Sequence, residues 1–447
     1  MTNRMSERRR PLANRILIPR MALFQFGFGL LSVLVLGVLN RVMFAEIGLP
    51  ATLIGFLLAI PSVMSPFRLW LGYRSDSHPI FGYRRLPYIL AGTVLAAIGI
   101  VGGTLGTVSI PRAIASGVFI TVVAFAIYGM GKNAMATTFQ ALIADVFDEQ
   151  QRPRATATLQ AAFIFGIVAG SLALGELLDP YSPNRLIAIV LGVCLTAIVL
   201  AILGCTGVEP TGHAVEEVSR RARAVPFGPT LKLTFRNPQV RLFFLFIGAV
   251  LLATLSQDIF LEPYGAVLFN MSVGQTARLN IFWGVGTLGS MMLCGLYLVN
   301  RFGRKRMAGI GLVIVALAFA GFVVAGAAAH RGLFIALVFL LGVGSGLSAS
   351  GTLTLMVDFT TAESAGLLMG AWTIAHQLAE VVGNLLGGVL VDGVFLLSGS
   401  YLAAFGTVFG LEIAAALAGL VLLTRISVSA FREMESQDTR RRYVRAS

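Results

Sequence analysis

The stretch Gly72-Tyr-Arg-Ser-Asp76, followed by Gly82-Tyr-Arg84-Arg85, separates two long apolar runs of this sequence. A related stretch, Gly295-Leu-Tyr-Leu-Val-Asn300-Arg-Phe-Gly303-Arg304-Lys305-Arg306, occupies the same place in the second half of the chain. Each combines a glycine, an acid or amide, a second glycine and a basic cluster. Because the pattern recurs, we predict two related halves, each with a tight cytoplasmic loop at this position.

The runs that flank these stretches are strongly apolar. The 447 residues are 56% hydrophobic and 12% charged, whereas soluble domains carry about 25% charged residues. Apolar runs near the ~20 residues that a helix needs to cross a bilayer recur from end to end. They predict an all-α membrane protein with twelve transmembrane helices, at 22–44, 51–71, 87–108, 114–141, 158–178, 185–206, 242–263, 275–299, 308–328, 332–356, 364–391 and 400–424. This composition excludes a soluble enzyme.

Basic residues are distributed unevenly between the two sides of the predicted membrane protein. The Arg8-Arg9-Arg10 run, most loop arginines and the Arg440-Arg441-Arg442 tail fall on one side. Because cytoplasmic segments carry the excess of Lys and Arg, both termini are predicted to be cytoplasmic. The asymmetry also explains the net charge of +13 without a nucleic-acid partner.

The longest internal polar stretch divides the chain. It covers 207–240 and is basic and proline-containing. We therefore predict an N-terminal six-helix half at 1–206, a cytoplasmic linker at 207–240, and a C-terminal six-helix half with a basic tail at 241–447. Two six-helix halves are the layout of the major facilitator fold, in which the binding site lies between the halves near the midplane.

Carboxylates also end spans four and ten, at Asp145 and Asp358. A carboxylate at a helix end can pair with loop arginines or with the N-terminus of the next helix. The glycines of span ten, Gly342, Gly344, Gly346 and Gly351, are read as helix contacts rather than as a phosphate-binding loop. No nucleotide-binding or zinc-binding spacing is present in the sequence.

Ionisable groups inside spans are costly and are therefore candidates for function. In span eleven, His376, Gln377, Glu380 and Asn384 fall at i, i+1, i+4 and i+8 and share one helix face. A neutral imidazole is a metal ligand, so His376 is a candidate metal-binding residue, and Glu380 could orient the ring or hold a proton. The alternative is a hydrogen-bond network that packs helices without any ligand.

Other polar groups lie near span ends. Gln257, Asp258 and Glu262 end span seven, and the two acids are one turn apart, near the non-cytoplasmic end, where we expect partial hydration. Lys132 lies inside span four and could pair with a carboxylate of the other half. Asn40-Arg41 ends span one, where snorkelling of the arginine to the interface is the favoured interpretation.

Three motifs together resemble a known family. They are Asn40-Arg41-Val-Met, the loop from Gly72 to Tyr88, and above all Gln257-Asp258-Ile-Phe-Leu-Glu262-Pro263-Tyr264-Gly265. With them, the whole chain resembles the PucC/LhaA bacteriochlorophyll-delivery branch of the major facilitator superfamily. The span-seven motif is the most specific of the three, since many facilitators share the loop.

The resemblance implies a non-enzymatic photosynthesis protein that binds or delivers bacteriochlorophyll as cargo, with His376 as a candidate ligand of the chlorin magnesium. It implies antenna polypeptides, chlorophyll-synthesis enzymes and reaction-centre complexes as partners, and the bacterial intracytoplasmic photosynthetic membrane as location. Two alternatives remain at this point. One is an ion- or proton-coupled transporter of a small solute, with Asp258, Glu262 or Glu380 carrying the coupling charge. The other is a scaffold for antenna or photosystem proteins that needs no ligand.

Overall fold

The computed structural model describes residues 2–147, 151–209, 238–255, 257–358 and 365–427. Within these ranges the chain is helical apart from short connections, and β-type pairing is limited to one bridge between Ile80 and Tyr83. The predicted all-α class is therefore confirmed.

The described residues of the first half form seven α-helices. They are α1 (Thr2–Val33), α2 (Ala51–Val63), α3 (Pro66–Ser77), α4 (Leu86–Ser109), α5 (Ile114–Val146), α6 (Arg152–Leu177) and α7 (Pro183–Cys205). Helix α1 continues through two π-helical segments, Leu34–Leu39 and Val42–Glu46. Such segments lose regular i→i+4 bonding and are frequent at functional sites.

The second half begins with α8 (Pro238–Leu255) and α9 (Gln257–Phe269). It continues with α10 (Val273–Ala277), α11 (Leu279–Leu293), a π-helical segment (Cys294–Leu298) and α12 (Val299–Phe302). The described chain continues with α13 (Arg304–Ala327), α14 (Arg331–Asp358), α15 (Ala365–Ser398) and α16 (Tyr401–Arg425).

Eleven of the predicted spans are long and apolar enough to cross a membrane in the described part of the chain. The remaining one, predicted at 275–299, is divided among α10, α11, the π-helical segment and α12. The second span is also divided, because the helix breaks at Met64 and Ser65 before Pro66 starts α3. Proline lacks a backbone N–H and is well accommodated in a first helical turn, so the restart of the helix at this point follows from the sequence.

The chain forms two compact units. One comprises Met1–Val225 with Leu261–Gly284, and the other comprises Pro226–Phe260 with Val285–Ser447. In the first unit α4 packs along α5, and α1 packs against α6 and α7. In the second unit α13 packs along α14, and α16 packs against α8, α13 and α15.

In both units, glycines allow neighbouring helices to pack closely against each other. A Cβ added to Gly131 of α5 would lie 2.3 Å from the backbone nitrogen of Ala96 in α4. In the second unit, a Cβ at Gly344 of α14 would lie 2.9 Å from the carbonyl oxygen of Gly311 in α13. Helix backbones that approach this closely need glycine, so the prediction that the span-ten glycines are helix contacts is confirmed.

The connection between α3 and α4 contains a tight turn over Ile80, Phe81, Gly82 and Tyr83. The backbone N–H of Ile80 donates to the Tyr83 carbonyl at 2.9 Å, and that of Tyr83 donates to the Ile80 carbonyl at 3.0 Å. Both central residues have positive φ, 53° for Phe81 and 80° for Gly82. This is the pattern of a type I′ turn, which favours Asn, Asp or Gly at both positions. Phe81 therefore carries a backbone strain of about 1–2 kcal/mol.

Candidate functional site

The polar face predicted for span eleven is present on α15. Gln377 and Asn384 are 7% and 2% exposed, and His376 and Glu380 are partly buried. Four apolar residues beside this polar face lie on the opposite side of the helix and are 42–55% exposed: Leu378, Val382, Leu386 and Val389. An amphipathic helix in a bilayer turns its apolar side to lipid, so the four polar groups point toward protein.

Asn384 is the most deeply buried residue of this face. Its Nδ2 atom finds no hydrogen-bond acceptor among the described residues. A buried amide donor without an acceptor costs about 1–3 kcal/mol. Such a donor is available to a hydrogen-bond acceptor on a bound molecule.

One turn beyond Asn384, Gly387 has no side chain, so an aromatic ring can pack against the backbone of α15. A Cβ at Gly387 would lie 2.3 Å from Cε2 of Phe260, so the ring packs directly on the helix backbone. Phe260 in turn contacts Phe405 of α16 edge-on, with ring centroids 6.3 Å apart. The polar face of α15 thus adjoins an aromatic layer within the second unit.

A second polar cluster lies in the first unit and contains residues of two of the family-like motifs. Glu262 of α9 is 3% exposed, and its Oε1 accepts a hydrogen bond from Nδ2 of Asn280 at 2.8 Å. The same carboxylate lies against the π-helical segment of α1, because a Cβ at Gly37 would be 2.6 Å from Oε1. Asn40, one turn after Gly37, is fully buried.

The position of Glu262 differs from the expectation of partial hydration. Helix α9 continues through Pro263 to Phe269, so the carboxylate lies about two turns inside the helix end rather than at it. Proline in a membrane helix is tolerated when neighbouring groups satisfy the freed backbone. The expectation that Glu262 is partly hydrated was therefore wrong, because its carboxylate is buried.

The interpretation of Arg41 as a snorkelling residue was also wrong. The residue is 5% exposed. Its Nη1 donates to Oε1 of Glu46 at 2.5 Å, and its Nη2 donates to the carbonyl of Met271 at 3.1 Å. A planar guanidinium can satisfy a carboxylate and a carbonyl together, so Arg41 ties the end of the first span to the connection between α9 and α10.

The charges of this cluster shift the pKa of Tyr181, which lies in the connection between α6 and α7. Burial raises the pKa of its hydroxyl, the negative charge of Glu46 raises the pKa further, and the positive charge of Arg41 opposes the shift. Nearby, Ser272 donates a hydrogen bond to Oδ2 of Asp179 at 2.6 Å. The end of the first unit formed by these connections is therefore rich in hydrogen bonds.

Several predicted site residues lie outside the described side chains. These are Gln257, Asp258, Gly72, Asp76, Asn300 and Asp358, whose helices are described but whose surroundings are not. Lys132 is partly buried on α5, beside Asn133, whose Nδ2 donates to the carbonyl of Pro61 at 3.2 Å. The pairing of Lys132 with a carboxylate of the other half stays a prediction.

The repeated loop motif is more helical than the sequence suggests. Helix α3 continues to Ser77, so Gly72 and Asp76 are helical, and only the segment from His78 to Arg85 forms the turn. In the second half, Gly295 and Asn300 also lie in helical segments, and the break falls at Gly303 alone. Gly82 and Gly303 have φ of 80° and 85°, so each half has a left-handed glycine close to its third span.

The basic residues of the first loop interact with other residues of the protein. Nε of Arg85 pairs with Oδ2 of Asp145 at 2.9 Å, and Nη1 of Arg85 donates to the Ser75 hydroxyl at 2.7 Å. The prediction that a carboxylate at the end of span four pairs with a loop arginine is therefore confirmed. Arg84 is also buried, with 7% of its surface exposed.

Glu209, which the sequence assigned to the linker, caps α4. Its carboxylate accepts hydrogen bonds from the backbone N–H groups of Arg84 at 2.5 Å, Arg85 at 2.9 Å and Leu86 at 2.8 Å. These are donors that a helix N-terminus leaves without intrahelical partners, and the negative charge also complements the helix dipole. In the second unit, Lys305 near the start of α13 donates to the carbonyl of Ile426, which follows α16.

The sequence interpretation missed Glu412. This acid lies in α16 and is 1% exposed. The signal was available, since Glu412 is the one acidic residue in the predicted span at 400–424, and a carboxylate in such a span is a functional candidate. Asn280 was missed because an asparagine near a span end has no distinctive spacing.

The described residues hold no cluster of three or more His, Cys, Asp or Glu side chains suited to a metal ion.

Comparison with known proteins shows the family to which the chain belongs. The PUCC protein family matches it over residues 38–431. The chain belongs to the PucC family. The protein PucC of Rhodobacter capsulatus is 30% identical over 409 residues, which cover 88% of each chain. Another relative of the same species, named bacteriochlorophyll synthase 44.5 kDa chain, is 30% identical and covers 88% of this chain and 91% of its own length.

The fold of this PucC-family chain is that of solved membrane transporters. A bacterial homologue of the lysosomal transporter Spinster, in an inward-facing conformation, superposes with a TM-score of 0.70 at 13% identity. The alignment covers 94% of this chain and 97% of that one. The predicted major facilitator fold is thereby confirmed.

Proposed function

We propose that this PucC-family membrane protein binds bacteriochlorophyll and delivers it to antenna polypeptides during assembly of light-harvesting complexes. The observation that carries the proposal is the family match over residues 38–431. One relative, from Rhodobacter capsulatus, is named bacteriochlorophyll synthase 44.5 kDa chain. The polar face of α15 supplies side chains whose chemistry suits such a cargo.

The cargo is a flat apolar macrocycle whose magnesium accepts an axial ligand. In this proposal His376 supplies the axial nitrogen, because a neutral imidazole is the usual nitrogen ligand in proteins. Glu380, one turn further along α15, accepts the other ring N–H and fixes the orientation of the imidazole. The Asn384 amide then donates to a carbonyl group at the edge of the macrocycle. Gln377 lines the same face.

The proposal extends to partners and location. Chlorophyll-synthesis enzymes supply the pigment, and antenna polypeptides and reaction-centre complexes receive it. The protein resides in the photosynthetic inner membrane with both termini in the cytoplasm. The support for this orientation is the excess of arginine and lysine on one side of the spans.

A second candidate function is coupled transport of a small solute. The observation that favours it is the buried Glu262 carboxylate with its hydrogen bond from Asn280. A buried acid in a membrane span can carry a coupling proton or face a cationic substrate. In that case the charge of Glu262 matters for turnover, whereas pigment binding requires only the face of α15.

Pigment retention by single variants separates the two functions. We expect His376→Phe to lower the ratio of bacteriochlorophyll to protein after gentle purification, while the amount of folded protein stays near that of wild type. His78→Phe is the matched control, because His78 is an exposed histidine at the end of α3. Glu380→Gln should have a smaller effect if the carboxylate only orients the ring.

Equal pigment ratios in wild type and His376→Phe would remove His376 as the ligand. In that case the four polar residues of α15 are better explained as a helix-packing network. Proton-driven uptake that is abolished by Glu262→Gln, in a protein without bound pigment, would favour the transporter.

A further inference from the structure

The turn between α3 and α4 presents an aromatic ring to the outside of the molecule. Phe81 occupies the tip of the turn formed by Ile80–Tyr83, here named the Phe81 turn. It is 93% exposed, far more than an aromatic residue that contributes to folding. It also adopts a left-handed backbone conformation, φ 53°, at a position where asparagine or glycine is favoured. The ring therefore has no role inside the fold that explains its presence.

The Phe81 turn is held firmly in place. On one side, the hydroxyl of Tyr88 donates to the carbonyl of His78 at 2.9 Å. On the other side, the carboxylate of Glu209 holds the backbone N–H groups of Arg84 and Arg85. A strained residue persists only where the surrounding structure fixes it. The Phe81 side chain is thus presented on a rigid support.

The neighbourhood of the turn has the composition of a membrane interface. Trp70 on α3 is 50% exposed, and the guanidinium of Arg74 lies 5.4 Å from its ring centroid. Phe67 stacks on Trp70 with centroids 5.0 Å apart. Tryptophan, tyrosine and arginine concentrate where the hydrocarbon core meets the headgroups.

The position of the turn along the chain agrees with this composition. The apolar part of the second span ends at Arg68, and the third span begins at Leu86. The turn therefore lies just beyond two membrane-spanning segments. Arg84 and Arg85 are buried and bonded within the protein, which leaves Arg74 as the exposed cation beside the turn.

We propose that the Phe81 turn inserts its aromatic ring into the headgroup layer of the surrounding bilayer, with Arg74 on the phosphate groups of anionic lipids. The ring and the cation then anchor this end of the first unit to the membrane surface. The inference does not depend on the proposed pigment cargo.

The test places a fluorescent probe at the tip of the turn. Phe81→Cys is labelled with a nitrobenzoxadiazole maleimide and reconstituted into phosphatidylcholine vesicles with or without phosphatidylglycerol. The native Cys194, Cys205 and Cys294 are buried, so labelling is directed to the new thiol. His78→Cys, an exposed position on the same connection, is the matched control.

We expect nitroxide-labelled lipids to quench the probe at position 81 about threefold more strongly than the probe at position 78, and iodide to quench it less. Arg74→Gln should reduce the additional lipid quenching that phosphatidylglycerol produces. Equal lipid quenching at the two positions, or full access of iodide to position 81, would overturn the proposal. Protection from iodide in native membranes but not in lipid vesicles would assign the ring to a protein partner and would overturn it as well.

Discussion

Replacing Glu209 by alanine should destabilise the first unit strongly, although the sequence places this residue in a linker. The substitution removes one carboxylate that accepts backbone N–H groups from Arg84, Arg85 and Leu86 at the start of α4. Only 7% of Glu209 is exposed, so water cannot easily replace the lost acceptor.

The expected magnitude follows from these contacts. A hydrogen bond to a charged group contributes about 1.5–3 kcal/mol, and loss of an N-cap costs about 0.5–2 kcal/mol. The three bonds share one carboxylate and are not additive, so we expect a loss of about 3 kcal/mol. For a unit of this size, the melting temperature should fall by roughly 6–12 °C.

The buried thiols provide the assay. A maleimide dye that fluoresces on reaction reports the exposure of Cys194 and Cys205 as the purified protein is heated in detergent. Glu176→Ala is the matched control, because the Glu176 side chain is 72% exposed and its carboxylate lies 3.6 Å from Arg278. An exposed pair of this kind contributes at most about 1 kcal/mol. If Glu209→Ala melts at the same temperature as Glu176→Ala, the capping role is refuted.

Three further predictions follow from other contacts. Gly37→Ala should displace the Glu262 carboxylate and destabilise the first unit by about 1–3 kcal/mol, so the melting temperature should fall by several degrees. Gly192→Ala should leave the melting temperature unchanged, because Gly192 has open space around it. Asp145→Asn should cost about 1–3 kcal/mol in the same thermal assay, because it weakens an ion pair whose arginine is 5% exposed. A reporter fused after Tyr181 should indicate the non-cytoplasmic side and a C-terminal fusion the cytoplasm, and a C-terminal report from the non-cytoplasmic side would contradict the predicted orientation.

The all-α membrane fold and the family were predictable, because hydropathy and motif residues are local properties of the sequence. Where helices break was less predictable. The interruption at Met64 and Ser65 agrees with Pro66, but the π-helical segments around Asn40 and Arg41 have no sequence signal of this kind. Such segments depend on what packs against them, here the Glu262 carboxylate over Gly37.

The orientation of the polar face on α15 was predictable from spacing, since residues one and two turns apart share a side of a helix. The partners of isolated polar residues were not. Asn280 meets Glu262 across a helix break, and Glu209 reaches α4 from far along the chain. Contacts of this type are set by tertiary packing, and no local pattern in a single sequence encodes them.

The most direct test of the proposed function is the absorption spectrum of the protein purified gently from cells that make bacteriochlorophyll. We predict a bacteriochlorophyll band at near-stoichiometric intensity, which persists in His78→Phe and falls in His376→Phe. A wild-type protein that is folded, active in antenna assembly and free of pigment would contradict the account.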